Sequence, residues 1–133
     1  MDVIALNPAE LPPLTGLISH GIAVPAAGLV YTSGQVAWDA AGELVHPGDL
    51  AGQFVKAYEN VDLVLKAAGT TRDKIVKETI YLVGYTTDRA QELVGLLAAA
   101  RQGHPVPPAS TAVGVETLYA DGFLVEIETV AVL

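Results

Sequence analysis

The spacing of apolar residues changes repeatedly between the period of two that marks strands and the period of 3.6 that marks helices. Apolar, β-branched segments bounded by glycine and proline predict strands at about residues 2–6, 18–24, 28–33, 75–83, 110–118 and 123–132. Helical spacing predicts a first helix that begins after Asp49, a good N-cap, and stops before Gly69. A second helix is predicted to begin near Asp88, with Gln91 as its capping-box partner, and to end near Gly103.

The resulting order, β-β-β-α-β-α-β-β, predicts a single α+β domain over residues 1–133, with two helices on one face of a mixed sheet. The other face of the sheet would be bare. Hydrophobic residues make up 51% of the chain, yet no apolar run approaches the roughly 18 residues that a membrane helix needs. We therefore expect no membrane association, and we expect the bare face to be buried against other copies of the chain.

Composition narrows the range of partners and cofactors. The formal net charge of −8 argues against nucleic acid as a ligand, because binding to phosphates needs a basic surface. The chain has no cysteine, and the spacing of His20, His46 and His104 does not suit a metal site, so we expect no metal. The N-terminal segment lacks the basic stretch and the long apolar run of a signal peptide, so we expect a cytoplasmic protein.

The last predicted strand projects two carboxylates from one face. Alternation along the strand puts Glu126 and Glu128 on one side, roughly 6–7 Å apart, and Ile127 on the other. Apolar neighbours would partly desolvate at least one of the two carboxyls, which raises its pKa and suits it to act as a base. From periodicity alone, a purely structural role stays open, in which each glutamate meets a backbone donor or a cation across an interface.

Several segments resemble the RidA/YjgF family of imine and enamine deaminases. The chain reads Pro-Ala-Ser-Thr from residue 108 and Glu-Ile-Glu from residue 126, where the family reads roughly Pro-Ala-Arg-Ser/Thr and Glu-Ile-Glu. Residues 32–35, Thr-Ser-Gly-Gln, match a family segment whose serine lies close to bound ligand. The resemblance extends from about Gly16 to Leu133. It implies a chorismate-mutase-like subunit that forms a homotrimer, with small-molecule ligands in the clefts between subunits.

The resemblance also implies roles for individual residues. Glu126 would position the attacking water in a hydrolysis that uses no cofactor, whereas Glu128 would keep a structural role. Ser33 and Gly34 would lie beside the ligand, as would Thr111. From the residues alone, the segment around Ser33 could equally be a strand-ending turn with a capping hydroxyl.

Two departures from the family pattern change the expected substrate. Ser110 stands where the family has an arginine that holds the substrate carboxylate through a bidentate pair, and a hydroxyl donates only one neutral hydrogen bond. Ile18 replaces a pocket tyrosine, which makes the site more apolar. Arg101, or an arginine of a neighbouring subunit, could supply the missing charge, although no sequence pattern indicates it. We expect Ser110 and Glu126 to share one cleft, and small 2-imino acids to be poor substrates.

Three functions stay open at this point. The protein could hydrolyse a reactive imine or enamine that lacks the usual carboxylate. It could instead bind a small metabolite without turnover, or act as an accessory protein that processes a bulky imine in one pathway. The missing arginine favours the last two over ordinary 2-aminoacrylate deamination, whereas Glu126 and the Ser-Gly-Gln turn favour hydrolysis.

Overall fold

The computed structural model describes residues 2–133, so the domain predicted over 1–133 includes one residue, Met1, outside the described part. In the described part, six strands and two α-helices follow the predicted order. Their bounds are β1 Ile4–Leu6, β2 Gly21–Val24, β3 Leu29–Thr32, α1 Leu50–Ala67, β4 Ile75–Val83, α2 Ala90–Ala100, β5 Ala109–Val115 and β6 Val125–Val132.

The strands form one mixed sheet with the order β1-β2-β3-β6-β4-β5. Every pair of neighbours is antiparallel except β4 and β5, which are parallel. The last strand of the chain therefore lies inside the sheet, between β3 and β4, and β5 forms one edge. This arrangement confirms the predicted α+β class and puts the Glu-Ile-Glu segment at the centre of the sheet.

Some element ends differ from the predicted ones for local reasons. β2 begins at Gly21 rather than at residue 18, because the N–H groups of Leu17 and Ile18 both donate to the carbonyl of Leu14 in a preceding turn. β5 ends at Val115 rather than at residue 118, because its partner β4 ends opposite that residue.

The two helix starts differ in how well the sequence predicted them. Asp49 caps α1 as expected, since its Oδ1 accepts a hydrogen bond from the N–H of Gly52 at 2.9 Å. Helix α2 begins at Ala90, close to the predicted start near Asp88, but a short 3₁₀ turn, Thr87–Arg89, comes first and α2 has no side-chain cap, so the predicted capping box is wrong. The backbone hydrogen bonds of this turn satisfy the first donors, which removes the need for a capping box.

Both helices pack on the same face of the sheet, as predicted. The side of β6 that faces them is buried from Val125 to Ala131 at alternate positions, together with Val30 of β3 and Ile80 of β4. The main core also contains the apolar stripe of α1, which includes Phe54 and Val61. The alternation of β6 therefore confirms that Glu126 and Glu128 lie on the opposite face.

The opposite face of the sheet, which we call the open face, remains partly apolar and exposed. Tyr31 of β3, Val113 of β5 and Val132 of β6 all lie on it, with exposed fractions of 46%, 38% and 36%. This matches the predicted bare face and keeps the expectation of self-association as a prediction. Neither described helix has the length and apolarity that crossing a membrane requires.

Candidate functional site

Glu126 lies in contact with the backbone at Gly34. The chain leaves β3 after Thr32 and pairs again with β6 at Gln35, whose N–H and C=O bond Ile127 in both directions at 2.8 and 3.0 Å. Gly34 is thereby held over the neighbouring Glu126 side chain. A Cβ atom at Gly34 would stand 2.7 Å from both Cδ and Oε2 of Glu126, so any larger residue here would push the carboxyl end of that side chain aside. The structure brings these two predicted site residues together.

The two glutamates of β6 have different surroundings. Glu126 is half-buried, and burial raises the pKa of its carboxyl, with a smaller contribution from the negative charge of Glu128. No hydrogen bond from residues 2–133 counters this rise. Glu128 accepts a hydrogen bond from the hydroxyl of Tyr81, and this bond is the main cause of the raised pKa of Tyr81. Glu126 is thus the unpartnered carboxylate, and Glu128 is held within the sheet.

Ser33 links the Gly34 turn to the segment before β2. Its Oγ donates to the carbonyl of Ser19 at 2.6 Å, and its N–H donates to the carbonyl of His20 at 2.8 Å. The hydroxyl proton of Ser33 is therefore engaged in holding the turn. Ile18, which precedes Ser19, is 44% exposed on the adjoining turn and lines a shallow depression there.

Ser110 lies on the other face of the sheet from Glu126. In the parallel ladder it pairs with Glu78, and its Oγ donates to Oε2 of that residue at 2.5 Å on the helix side. Glu126 pairs with Tyr81, whose side chain points to the open face. The expectation that Ser110 and Glu126 share a cleft between subunits stays a prediction, because within a single chain the two side chains face different sides of the sheet. The reason is the register of β5, and these two side chains could meet only between copies.

Glu78 gathers three donors on the helix side. It is fully buried and accepts hydrogen bonds from the Tyr58 hydroxyl of α1 and from the guanidinium of Arg101, besides the one from Ser110. Burial is the largest cause of the strongly raised pKa of Tyr58, followed by the charge of Glu78. Arg101 follows α2 directly. Because its guanidinium pairs with the Glu78 carboxylate, the positive charge of Arg101 is neutralised beside Ser110.

Thr111 points the opposite way from Ser110, onto the open face. It pairs with Thr79 of β4, and its Oγ1 accepts a hydrogen bond from Nζ of Lys77 at 2.8 Å. Lys77 and Thr79 also line a concavity of about 230 Å³ together with Glu128. The sequence pattern contained a signal for this position of Lys77, because alternation along β4 puts Lys77, Thr79 and Tyr81 on one face of the sheet, but the sequence prediction did not include Lys77 in the site.

Comparisons with known proteins point to one family. The family model described as Endoribonuclease L-PSP matches residues 13–133. Protein DfrA of Myxococcus xanthus is 31% identical over 129 residues, which are 96% of this chain and 94% of the relative. The 2-iminobutanoate/2-iminopropanoate deaminase of Bos taurus is 36% identical over 78 residues, which are 58% of this chain and 55% of the relative. The crystal structure of YyfA from Yersinia pestis, of the Rid protein family, has a TM-score of 0.86 and 32% identity, covering 99% of this chain and 100% of that chain.

Proposed function

This chain belongs to the RidA/YjgF family, and from that membership we propose that it hydrolyses a reactive imine or enamine intermediate to a carbonyl compound and ammonia. The single observation that carries this proposal is the Glu126 carboxylate, unpartnered and half-buried against the Gly34 backbone. A deaminase among the relatives supports the same reaction class.

Glu126 is the residue that we propose to activate water. Its carboxylate takes a proton from a water molecule, whose oxygen attacks the carbon of the C=N bond, and the protonated carboxyl then returns that proton to the nitrogen to give a carbinolamine. The carbinolamine then expels ammonia and leaves a carbonyl group, so that one imine and one water yield one carbonyl compound and one ammonia. A raised pKa makes the Glu126 carboxylate a stronger base than an ordinary carboxylate.

We propose a substrate whose binding does not depend on a carboxylate group, unlike that of a small 2-imino acid. Ser110 donates its proton to Glu78, and the guanidinium of Arg101 pairs with the same carboxylate. A substrate carboxylate near Ser110 would therefore find no free positive charge and little charge-assisted binding. The exposed Ile18 adds apolar surface instead.

The working form that we propose is a cytoplasmic homotrimer with ligand clefts between subunits. The exposed apolar residues of the open face support self-association. The placement of Ser110 and Glu126 on opposite faces supports a cleft between copies, because no single chain can offer both to one ligand.

A second candidate function is the binding of a small metabolite without turnover, as an accessory protein of one pathway. Two observations favour it: the engaged hydroxyl proton of Ser33 and the neutralised charge at Ser110. Cleavage of RNA, which the name of the matching family model suggests, is disfavoured for this chain by its net charge of −8.

The test is an assay on imines made in situ. An amino-acid oxidase supplies imines that carry a carboxylate, an amine oxidase supplies imines that do not, and semicarbazide trapping reports how much imine survives. We expect faster hydrolysis of the carboxylate-free imines, and a loss of roughly 10²–10⁴-fold in Glu126→Gln with little change in Glu128→Gln.

The pH profile gives a second criterion. The base must be ionised, so the rate should fall as the pH drops through the raised pKa of Glu126, at a higher pH than for an ordinary carboxyl. A larger loss in Glu128→Gln than in Glu126→Gln would mean that the wrong carboxylate was chosen. Ligand binding without hydrolysis of either imine class would favour the second candidate function.

A further inference from the structure

Three buried side chains behind the Gly34 turn form one continuous chain of hydrogen bonds. His20, Gln35 and Trp38 are 2%, 0% and 6% exposed. His20 Nε2 lies 2.7 Å from the carbonyl oxygen of Pro12, and His20 Nδ1 lies 3.1 Å from Nε2 of Gln35. The indole N–H of Trp38 donates to Oε1 of Gln35 at 3.2 Å.

The partners at the two ends fix the direction of every bond in this chain. The carbonyl of Pro12 can only accept, so Nε2 of His20 carries a hydrogen. The indole of Trp38 can only donate, so Gln35 must turn its oxygen to the indole and its NH₂ group to His20. Nδ1 of His20 is therefore the acceptor, and only the neutral Nε2–H tautomer satisfies every atom.

His20 also holds both sides of the Gly34 turn. Its carbonyl accepts from the N–H of Ser33, and its ring accepts from the side chain of Gln35. Gln35 in turn pairs with β6 through its backbone, next to Glu126. The position of Gly34 over the Glu126 carboxylate thus depends on His20 from one side and on β6 from the other.

We propose that His20 is a positioning residue of the candidate site, which acts through Gln35 to hold the Gly34 backbone against Glu126. In this role His20 touches neither substrate nor water. By holding the Gly34 backbone in place, His20 keeps bulk water away from one side of the Glu126 carboxylate. The burial that raises the pKa of Glu126 fits this role. The inference deepens the proposed function, but the geometry that it concerns exists whether or not the protein turns over a substrate.

A separate tether shows that the loop after this turn does not depend on His20 alone. Asn60 of α1, fully buried, donates from Nδ2 to the carbonyls of Val36 and Trp38 at 3.0 and 3.1 Å. Loss of the His20–Gln35 bond should therefore loosen the Gly34 turn while the loop stays attached to α1.

Two substitutions of His20 distinguish the contributions of its two ring nitrogens. An asparagine places its amide oxygen near the position of Nδ1, and a glutamine places its amide near the position of Nε2. His20→Asn can therefore keep the acceptor for Gln35, whereas His20→Gln can keep only the donor to Pro12. A purely structural role predicts similar losses for both, and the positioning role predicts a difference.

The primary measurement is the pKa of the Glu126 carboxyl, followed by carbon-13 NMR during a pH titration of the full chain. We expect the raised value in the unmodified protein and in His20→Asn, and a value nearer to that of an ordinary carboxyl in His20→Gln. Trp38→Phe, which removes the donor to Gln35 Oε1 together with part of the buried indole ring, should lower the Glu126 pKa as well and serves if His20→Gln fails to fold. His104→Gln, a histidine change at a remote turn, is the control and should change nothing.

Two further readouts make the result decisive. Nitrogen-15 shifts should show the Nε2–H tautomer of His20 at neutral pH, and where imine hydrolysis is measurable, kcat should fall about 10-fold or more in His20→Gln with KM nearly unchanged. An unchanged Glu126 pKa in a folded His20→Gln or Trp38→Phe protein, or the other tautomer, would overturn the positioning role. A shifted pKa in a protein that hydrolyses no imine would reject the proposed function and leave the positioning role standing.

Discussion

At Gly34 the backbone passes so close to the Glu126 carboxylate that the residue at this position sets how far the carboxylate is separated from bulk water. The pairing of Gln35 with Ile127 fixes the backbone on one side of this contact, and Ser33 fixes it on the other through its bonds to the segment before β2. The chemistry proposed for Glu126 therefore depends on the absence of a side chain at Gly34 as well as on the carboxylate itself.

Gly34→Ala should damage the site without unfolding the protein. The new Cβ would stand 2.7 Å from the Glu126 carboxyl, so the carboxylate must move, and because it is the free end of a flexible side chain this costs little stability. We expect imine hydrolysis to fall at least 10-fold, because a displacement of about 1 Å can cost 10²-fold. Gly95→Ala is the matched control: nothing lies within 4 Å of its Cβ in α2, so it should stabilise the protein by roughly 0.5–1 kcal/mol. Denaturant unfolding and kinetics of both variants would test this, and equal activity in the two would contradict it.

At the scale of secondary-structure elements, local patterns predicted more than cross-strand pairing did. Alternation within β6 depends only on neighbouring residues, so the sequence predicted which face carries Glu126, and the burial pattern confirms it. The pairing of β5 with β4 brings Ser110 beside Glu78, a residue 32 positions away. A register shift of one residue would turn Ser110 to the other face, and no local pattern distinguishes the two registers. For the same reason the buried contact of Arg101 with Glu78 could not be predicted.

The alternation of β5 can be tested with two adjacent arginine substitutions. Ser110→Arg adds a second guanidinium beside Glu78, which already pairs with Arg101, so that the helix side of this edge gains one net positive charge. Thr111→Arg adds the same group one residue on, but on the open face beside Lys77. If ligands reach the edge of β5 from the helix side, only Ser110→Arg should bind 2-oxobutanoate more tightly, by about 1.5–3 kcal/mol for a good bidentate pair. Calorimetry would measure both, and a gain limited to Thr111→Arg would show that ligands approach from the open face.

At the scale of the whole molecule, the single chain offers the parts of its site on two different faces. Glu126 and Thr111 lie on the open face, whereas Ser110 lies on the helix side at the edge of the sheet. An arrangement of copies in which the β5 edge of one chain approaches the Gly34 turn of another would unite these parts. The open face offers the apolar surface for such an arrangement, since Tyr31 and Val113 are exposed on it.

A homotrimer therefore remains the expected assembly, with a mass of about three times 13.8 kDa by light scattering coupled to size exclusion. Val113→Glu puts a charge on the open face and should yield monomers at micromolar concentration, because an unpaired carboxylate in an apolar interface is costly to desolvate. Val94→Glu, at a position of α2 that is 65% exposed, is the control and should leave the assembly intact. The monomeric variant should also lose imine hydrolysis even though Glu126, Gly34 and their contact are unchanged. A monomer in the unmodified protein, or full activity in a monomeric Val113→Glu, would show that one chain carries a complete site by itself.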